Sequence, residues 1–209
     1  DRLSKDHDLD YVKFRKFVIH SLGDAVAYRR IPSQKEDDYR RIHERVLEHI
    51  DKLRAKLGDK DKPLVVMAHS LGSVIMSNYI WDRQKDIDRG HFGKTAFNRM
   101  ETMCCLITFG SNIPIFSLAY DPVQSIEFPP ENLKKYFPSG SEADVNRIAR
   151  WLNFYDPDDV LGYPLKPLYR KMTVGGKQIN DVKIEDIAIN AGGVFTSWNP
   201  LSHGAYWTD

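Results

Sequence analysis

Leu64-Val65-Val66-Met67-Ala68-His69-Ser70-Leu71-Gly72-Ser73 joins two patterns with no loop between them. Its first five residues are a continuous apolar run, too short for a helix and suited to a strand buried on both faces. Gly72 to Arg83 reads as a helix. A buried strand that turns straight into a helix is the unit from which parallel α/β sheets are built.

The rest of the chain repeats that alternation. Upstream, Tyr11, Phe14, Val18, Leu22 and Ala25 recur at spacings of three and four and predict a helix over residues 9–29. Tyr39, Ile42, Val46, Ile50, Leu53 and Leu57 make one stripe of a second helix, Asp38–Leu57, stopped by Gly58. Downstream, residues 85–100 are polar and loop-like, and Thr102–Phe109 is another buried-strand pattern closed by Gly110 and Ser111. Val145–Arg150 suggests a short helix, Trp151–Tyr155 a third buried strand, and Val182 to Ile189 a last β segment. The expected fold is α/β, a mostly parallel central sheet flanked by helices, in one domain covering residues 1–209. An irregular insertion falls at about 112–141, where five prolines accompany Phe116, Tyr120, Phe128, Tyr136 and Phe137. Loops leaving the carboxyl ends of strands border sites in such sheets, so this insertion is a candidate apolar wall or lid, the alternative being that its aromatics simply cover the sheet edge.

Composition narrows the classes. The chain has 209 residues and a formal net charge of +1, which leaves no electrostatic footprint for nucleic acid or an anionic membrane. No apolar stretch reaches the roughly 18 residues that span a bilayer. Cys104 and Cys105 are neighbours in a strand pattern and would point to opposite faces, which argues against a disulfide or a thiolate metal site. Core thiols of this kind fit a reducing compartment, so a cytoplasmic location is expected. No signal-peptide pattern is visible.

The chemistry converges on Ser70. Ala68-His69-Ser70-Leu71-Gly72 follows the small-x-Ser-x-Gly pattern of a nucleophile elbow, a sharp turn that leaves a serine hydroxyl exposed on strained backbone. Bulky residues two positions before or after would clash, hence Ala68 and Gly72. The Leu71 N–H at the start of the helix could bind an oxyanion. The chain contains its own control. His20-Ser21-Leu22-Gly23 repeats four of these residues, but Ile19 replaces the small one and charges at helical spacing precede it, so Ser21 is read as structural.

In the order serine, acid, histidine, only His91 and His203 follow Ser70, and His91 precedes any plausible acid. His203 is therefore the candidate base. Trp151–Tyr155 runs into Asp156-Pro157-Asp158-Asp159, and the residues alone leave the choice among three carboxylates open.

Together these motifs resemble the α/β-hydrolase lipases and esterases, and more closely the intracellular phospholipase A1 family. That family's elbow, Gly-His-Ser-Leu-Gly-Ser, is matched by Ala68–Ser73 with alanine for the first glycine. Its acid segment, Tyr-His-Pro-x-Asp-Pro-Val-Ala-Tyr-Arg-Leu-Glu-Pro-Leu, aligns without gaps on Tyr155–Leu168 and implies Asp159 as the acid. The alignment departs at Val160-Leu161, which keeps Asp158 as an alternative. The family's Ser-His-x-x-Tyr-Trp matches Ser202–Trp207, and its upstream Asp-x-x-x-Tyr resembles Asp24–Tyr28. The matches cover about a third of the chain, and motif spacing is more compact than in that family. Catalytic roles are carried over and phospholipid specificity is not.

Other chemistry is not indicated. His43-Glu44 lacks the second ligand of a zincin, since position 47 is leucine and His49 lies off the His43 face; both histidines are expected on the helix surface. No phosphate loop or dinucleotide fingerprint occurs, and no metal or cofactor is expected. The fold's usual second oxyanion donor comes from a loop after an early strand. Nothing before Tyr11 reads as that strand, so either the sheet lacks N-terminal strands here or the donor comes from elsewhere. The expected activity is cleavage of a small-molecule or lipid carboxylic ester by a Ser70–Asp159–His203 triad. The alternatives are an acyltransferase with the same triad and a non-catalytic binding module.

Overall fold

The computed structural model describes residues 38–85, 93–117, 125–137, 139–169, 183–192 and 200–207, with residues 16, 19, 23, 28, 173, 174, 177 and 178 besides. The helix expected over residues 9–29, the Ser21 motif and Asp24 lie outside the described residues almost entirely. The chain divides into two compact units, residues 1–42 and 43–209. In the first, buried Tyr28 stacks on Tyr39 with ring centroids 5.0 Å apart. The second carries the sheet and the site.

Four strands form an all-parallel sheet: β1 (Leu64–His69), β2 (Met103–Phe109), β3 (Arg150–Tyr155) and β6 (Ile184–Ala188), ordered β1-β2-β3-β6. A separate short ribbon pairs β4 (Thr173–Val174) with β5 (Lys177–Gln178) antiparallel. The helices are α1 (Asp38–Lys56), α2 (Leu71–Gln84), α3 (Ile113–Ser117), α4 (Glu142–Ile148) and α5 (Lys166–Tyr169). Two 3₁₀ segments, Leu133–Tyr136 and Pro200–Trp207, complete the described elements. The architecture is α/β, and each strand expected from the apolar runs is present.

Four expectations need correction. β1 is not buried on both faces: Leu64, Val66 and Ala68 face the core, but Val65 and Met67 are 53% and 60% exposed. Among the described residues β1 lies at the sheet edge, paired only with β2, so its apolar run reflects one buried face. His43 is not a surface residue. It is buried beside Asp82 of α2, with Nδ1 3.4 Å from Oδ2, and only His49 is exposed. The short helix begins earlier than Val145, at Glu142, because the Ser141 hydroxyl accepts the Asp144 N–H while the Asp144 carboxylate accepts the Ser141 N–H. Its end is earlier too: Arg150 belongs to β3.

The insertion is the fourth. Its described residues are 112–117, 125–137 and 139–141, and the stretch 125–137 contributes to the core rather than to a lid: Ile126, Phe128 and Leu133 are all under 5% exposed. Gln84 and Lys85, at the far end of α2 from Ser70, bond to Glu127. Leu133 and Phe137 pack with Cys104, Val145 and Ala149 near the amino end of β2. A 14-residue helix spans about 20 Å, so this segment closes the end of the sheet away from Ser70.

Candidate active site

Ser70 sits between β1 and α2 with φ 52 and ψ −128, a left-handed backbone that a non-glycine residue adopts at a cost of about 1–3 kcal/mol. Its neighbours fix the turn. The Ser70 N–H donates to Phe109 O on β2 (3.1 Å), and Ser73 donates through its N–H to Ser70 O (2.9 Å) and through its hydroxyl to Ala68 O (3.1 Å). Leu71 opens α2, so its N–H has no acceptor within the helix.

The carboxyl ends of the other strands bring up the partners. After β3, the chain turns through Asp156–Gly162; after β6, it reaches the segment 200–207. The Ser70 hydroxyl donates to His203 Nε2 at 2.6 Å, and His203 Nδ1–H donates to Asp159 Oδ2 at 2.8 Å. These bonds define one histidine tautomer, with the proton on Nδ1. Of the three carboxylates, Asp159 is buried and Asp158 is exposed. Asp156 is buried and serves the backbone instead. Its carboxylate accepts the N–H groups of Asp158 and Ala191, tying the end of β3 to the chain beyond β6.

Asp159 is fully engaged. Oδ1 accepts the Leu161 N–H (2.9 Å), and Oδ2 accepts the Tyr206 hydroxyl (3.0 Å) besides His203. Burial pushes its pKa up, but the His203 bond and charge, the Leu161 N–H and the Tyr206 hydroxyl outweigh burial and hold it below the usual range. Tyr206 in turn accepts the Asp156 N–H (2.9 Å), and burial raises its own pKa strongly.

Two glycines make room for this arrangement. A Cβ on Gly110, which has φ +54, would lie 2.9 Å from Tyr206 Cε2 and 3.3 Å from His203 Cε1. A Cβ on Gly162 would lie 2.5 Å from Asp159 Oδ2. At Gly72 a single added Cβ meets nothing within 4 Å outside its own helix and chain neighbours. The tightest approaches to the site fall on the loops after β2 and β3.

A polar row lies beneath. Thr108, Asn153 and Asp186 are register partners on β2, β3 and β6. Trp151 Nε1–H donates to Thr108 Oγ1 and Thr108 donates to Asn153 Oδ1. The Asn153 amide donates to Asp186 and to the Tyr163 carbonyl, which fixes the far side of the acid loop. In the sequence Thr108 and Asn153 read only as members of apolar strands. The signal that marks them is polarity at buried positions of adjacent strands, where each such group requires a partner.

Among the described residues no group of three or more His, Cys, Asp or Glu is placed to hold a metal ion. No described helix is long and apolar enough to cross a membrane. No family model, curated protein or solved structure matches the chain.

Proposed function

We propose that the protein is a serine hydrolase of carboxylic esters, acting through Ser70, His203 and Asp159. The observation that carries this reading is the hydrogen-bond chain from Ser70 Oγ through His203 to Asp159, built on a left-handed serine between strand and helix. His203 takes the Ser70 proton as Oγ attacks the ester carbonyl carbon. Asp159 holds the imidazole in the required tautomer and balances the imidazolium. The Leu71 N–H and the amino end of α2 stabilise the oxyanion of the tetrahedral intermediate. His203 then protonates the departing alkoxide, and a water, deprotonated by the same nitrogen, releases the acyl group.

An ester substrate fits the groups at hand: a nucleophile, a base that can return its proton to a leaving alkoxide, and the Leu71 N–H as oxyanion donor. The test is reaction with a fluorophosphonate probe. Wild-type protein should be labelled on Ser70, and Ser70→Ala should abolish labelling. Label on another serine, or none, would sink the assignment.

A further inference from the structure

His69 precedes the serine and is surrounded by site residues. Its ring lies 5.0 Å from the His203 ring, 5.2 Å from Phe109, 5.6 Å from Tyr206 and 5.9 Å from Trp207, centroid to centroid. Two polar contacts fix its protonation. His69 Nε2 lies 3.0 Å from the backbone carbonyl of His203, which only accepts, so Nε2 carries the proton. Trp207 Nε1–H lies 3.3 Å from His69 Nδ1 and only donates, so Nδ1 keeps its lone pair. Both contacts are met by the neutral Nε2–H tautomer alone. The two histidines therefore hold opposite tautomers, His203 with its proton on Nδ1 and His69 on Nε2.

We infer that His69 is the positioning residue for His203. As a neutral Nε2–H imidazole locked by Trp207, it grips the carbonyl of the base's own residue and aims the His203 ring at Ser70. The inference rests on the hydrolase reading and gives the residue before the nucleophile a part in it. The need for a clamp is physical. His203 lies in a short 3₁₀ segment rather than a long helix or strand, and the contact bridges 134 positions of sequence to the end of β1. Errors of about 1 Å in such a base cost on the order of 100-fold in rate.

Protonating His69 would set an N–H against the Trp207 N–H and place a cation beside the imidazolium that forms on His203. Burial and the neighbouring His203 lower the His69 pKa, against weaker opposing effects of the His203 carbonyl and the Asp159 charge. The neutral form is thus the resting one.

The experiment compares wild type with His69→Gln, His69→Leu and Trp207→Phe, using p-nitrophenyl butyrate hydrolysis and ¹⁵N NMR of the ring nitrogens. Glutamine keeps an N–H donor and an acceptor; leucine keeps only bulk. His69→Leu should lower kcat roughly 30- to 100-fold with KM within about threefold, and His69→Gln should recover to within about fivefold of wild type. The wild-type spectrum should report Nε2–H for His69, and Trp207→Phe, which leaves the His203 carbonyl in place, should keep that tautomer. Equal losses in the glutamine and leucine variants, full kcat in His69→Leu, or an Nδ1–H tautomer would each overturn the clamp. An unlabelled Ser70 in the wild type would instead overturn the hydrolase reading, while the tautomer measurement still decides the contact.

Discussion

The two ends of the sheet are built by different means. At the carboxyl ends of β1, β2 and β3, the contacts are directed: a serine bonds a histidine, the histidine an aspartate, and the aspartate an N–H and a tyrosine. Near the amino end of β2 the contacts are apolar, with Leu133, Val145, Ala149 and Phe137 packed around Cys104. Hydrophobic contact depends on area and is indifferent to direction. Hydrogen bonds fail with small displacements. One end therefore holds the fold together and the other holds atoms in place, and substitutions at the two ends should be felt by different measurements.

The largest effect should come from the acid. Asp159→Asn should lower kcat by about 10³–10⁴-fold, since an amide favours the wrong tautomer of His203. Asp158→Asn, on an exposed side chain one residue earlier, should stay within about twofold, the usual scale of surface substitutions. Steady-state kinetics on p-nitrophenyl butyrate decide it, and comparable losses in both variants would remove Asp159 from its special place.

The glycines come next. Gly162→Ala puts a carbon where the Asp159 carboxylate sits, so Oδ2 must move and His203 with it. We expect kcat to fall on the order of 100-fold at nearly unchanged secondary structure. Gly110→Ala strains the backbone as well as the ring contacts and should also lower the melting temperature. An alanine at 162 with wild-type kcat would show that the carboxylate tolerates displacement.

How legible this is in the sequence follows the same division. The strands are readable because apolar runs of strand length register burial directly, and Leu64–His69, Met103–Phe109 and Arg150–Tyr155 fall within a residue or two of their expected bounds. Which face of β1 is buried is not readable, because Val65 and Met67 are as apolar as Val66 and only sheet position distinguishes them. Ser70 and His203 can be named because motif and chain order restrict them, whereas the residues alone leave three carboxylates open and only the resemblance points to Asp159, with Asp158 as its alternative. The roles of Tyr206 and His69 cannot be derived from spacing, since each is defined by a contact across 47 or more positions, and that of Gly162 depends on how its loop folds the Asp159 carboxylate back against it. The prolines and aromatics of the 125–137 segment leave a site wall and a cover for the sheet undecided, and the pairing of Glu127 with Gln84 draws it to the end opposite Ser70.

That opposite end supplies the converse test. Leu133→Ala should cost about 2–5 kcal/mol of stability, as for other buried leucines, measured by urea unfolding, with kcat per folded molecule unchanged. A matching fall in kcat would mean the two ends are coupled through β2.

The smallest effect, and the one that separates His69 from Asp159, is in the pH dependence of stability. The folded state holds His69 neutral below the ordinary imidazole range, whereas an unfolded chain takes up a proton near ~6.5. Between the lowered value and ~6.5 the unfolded state binds the extra proton, so stability rises with pH there and is lost on acidification. Asp159 is depressed instead, and its contribution is present above ~3.9 and fades only as the pH falls through its folded value. The first window opens at ~6.5 and the second at ~3.9. His69→Gln should therefore flatten the loss of urea midpoint between about pH 7.5 and 5.5, and Asp159→Asn should change the slope only below about pH 4. If His69→Gln loses as much midpoint as wild type over the upper window, the imidazole is not held neutral by its surroundings. The tautomer lock between Trp207 and the His203 carbonyl would then have no energetic weight.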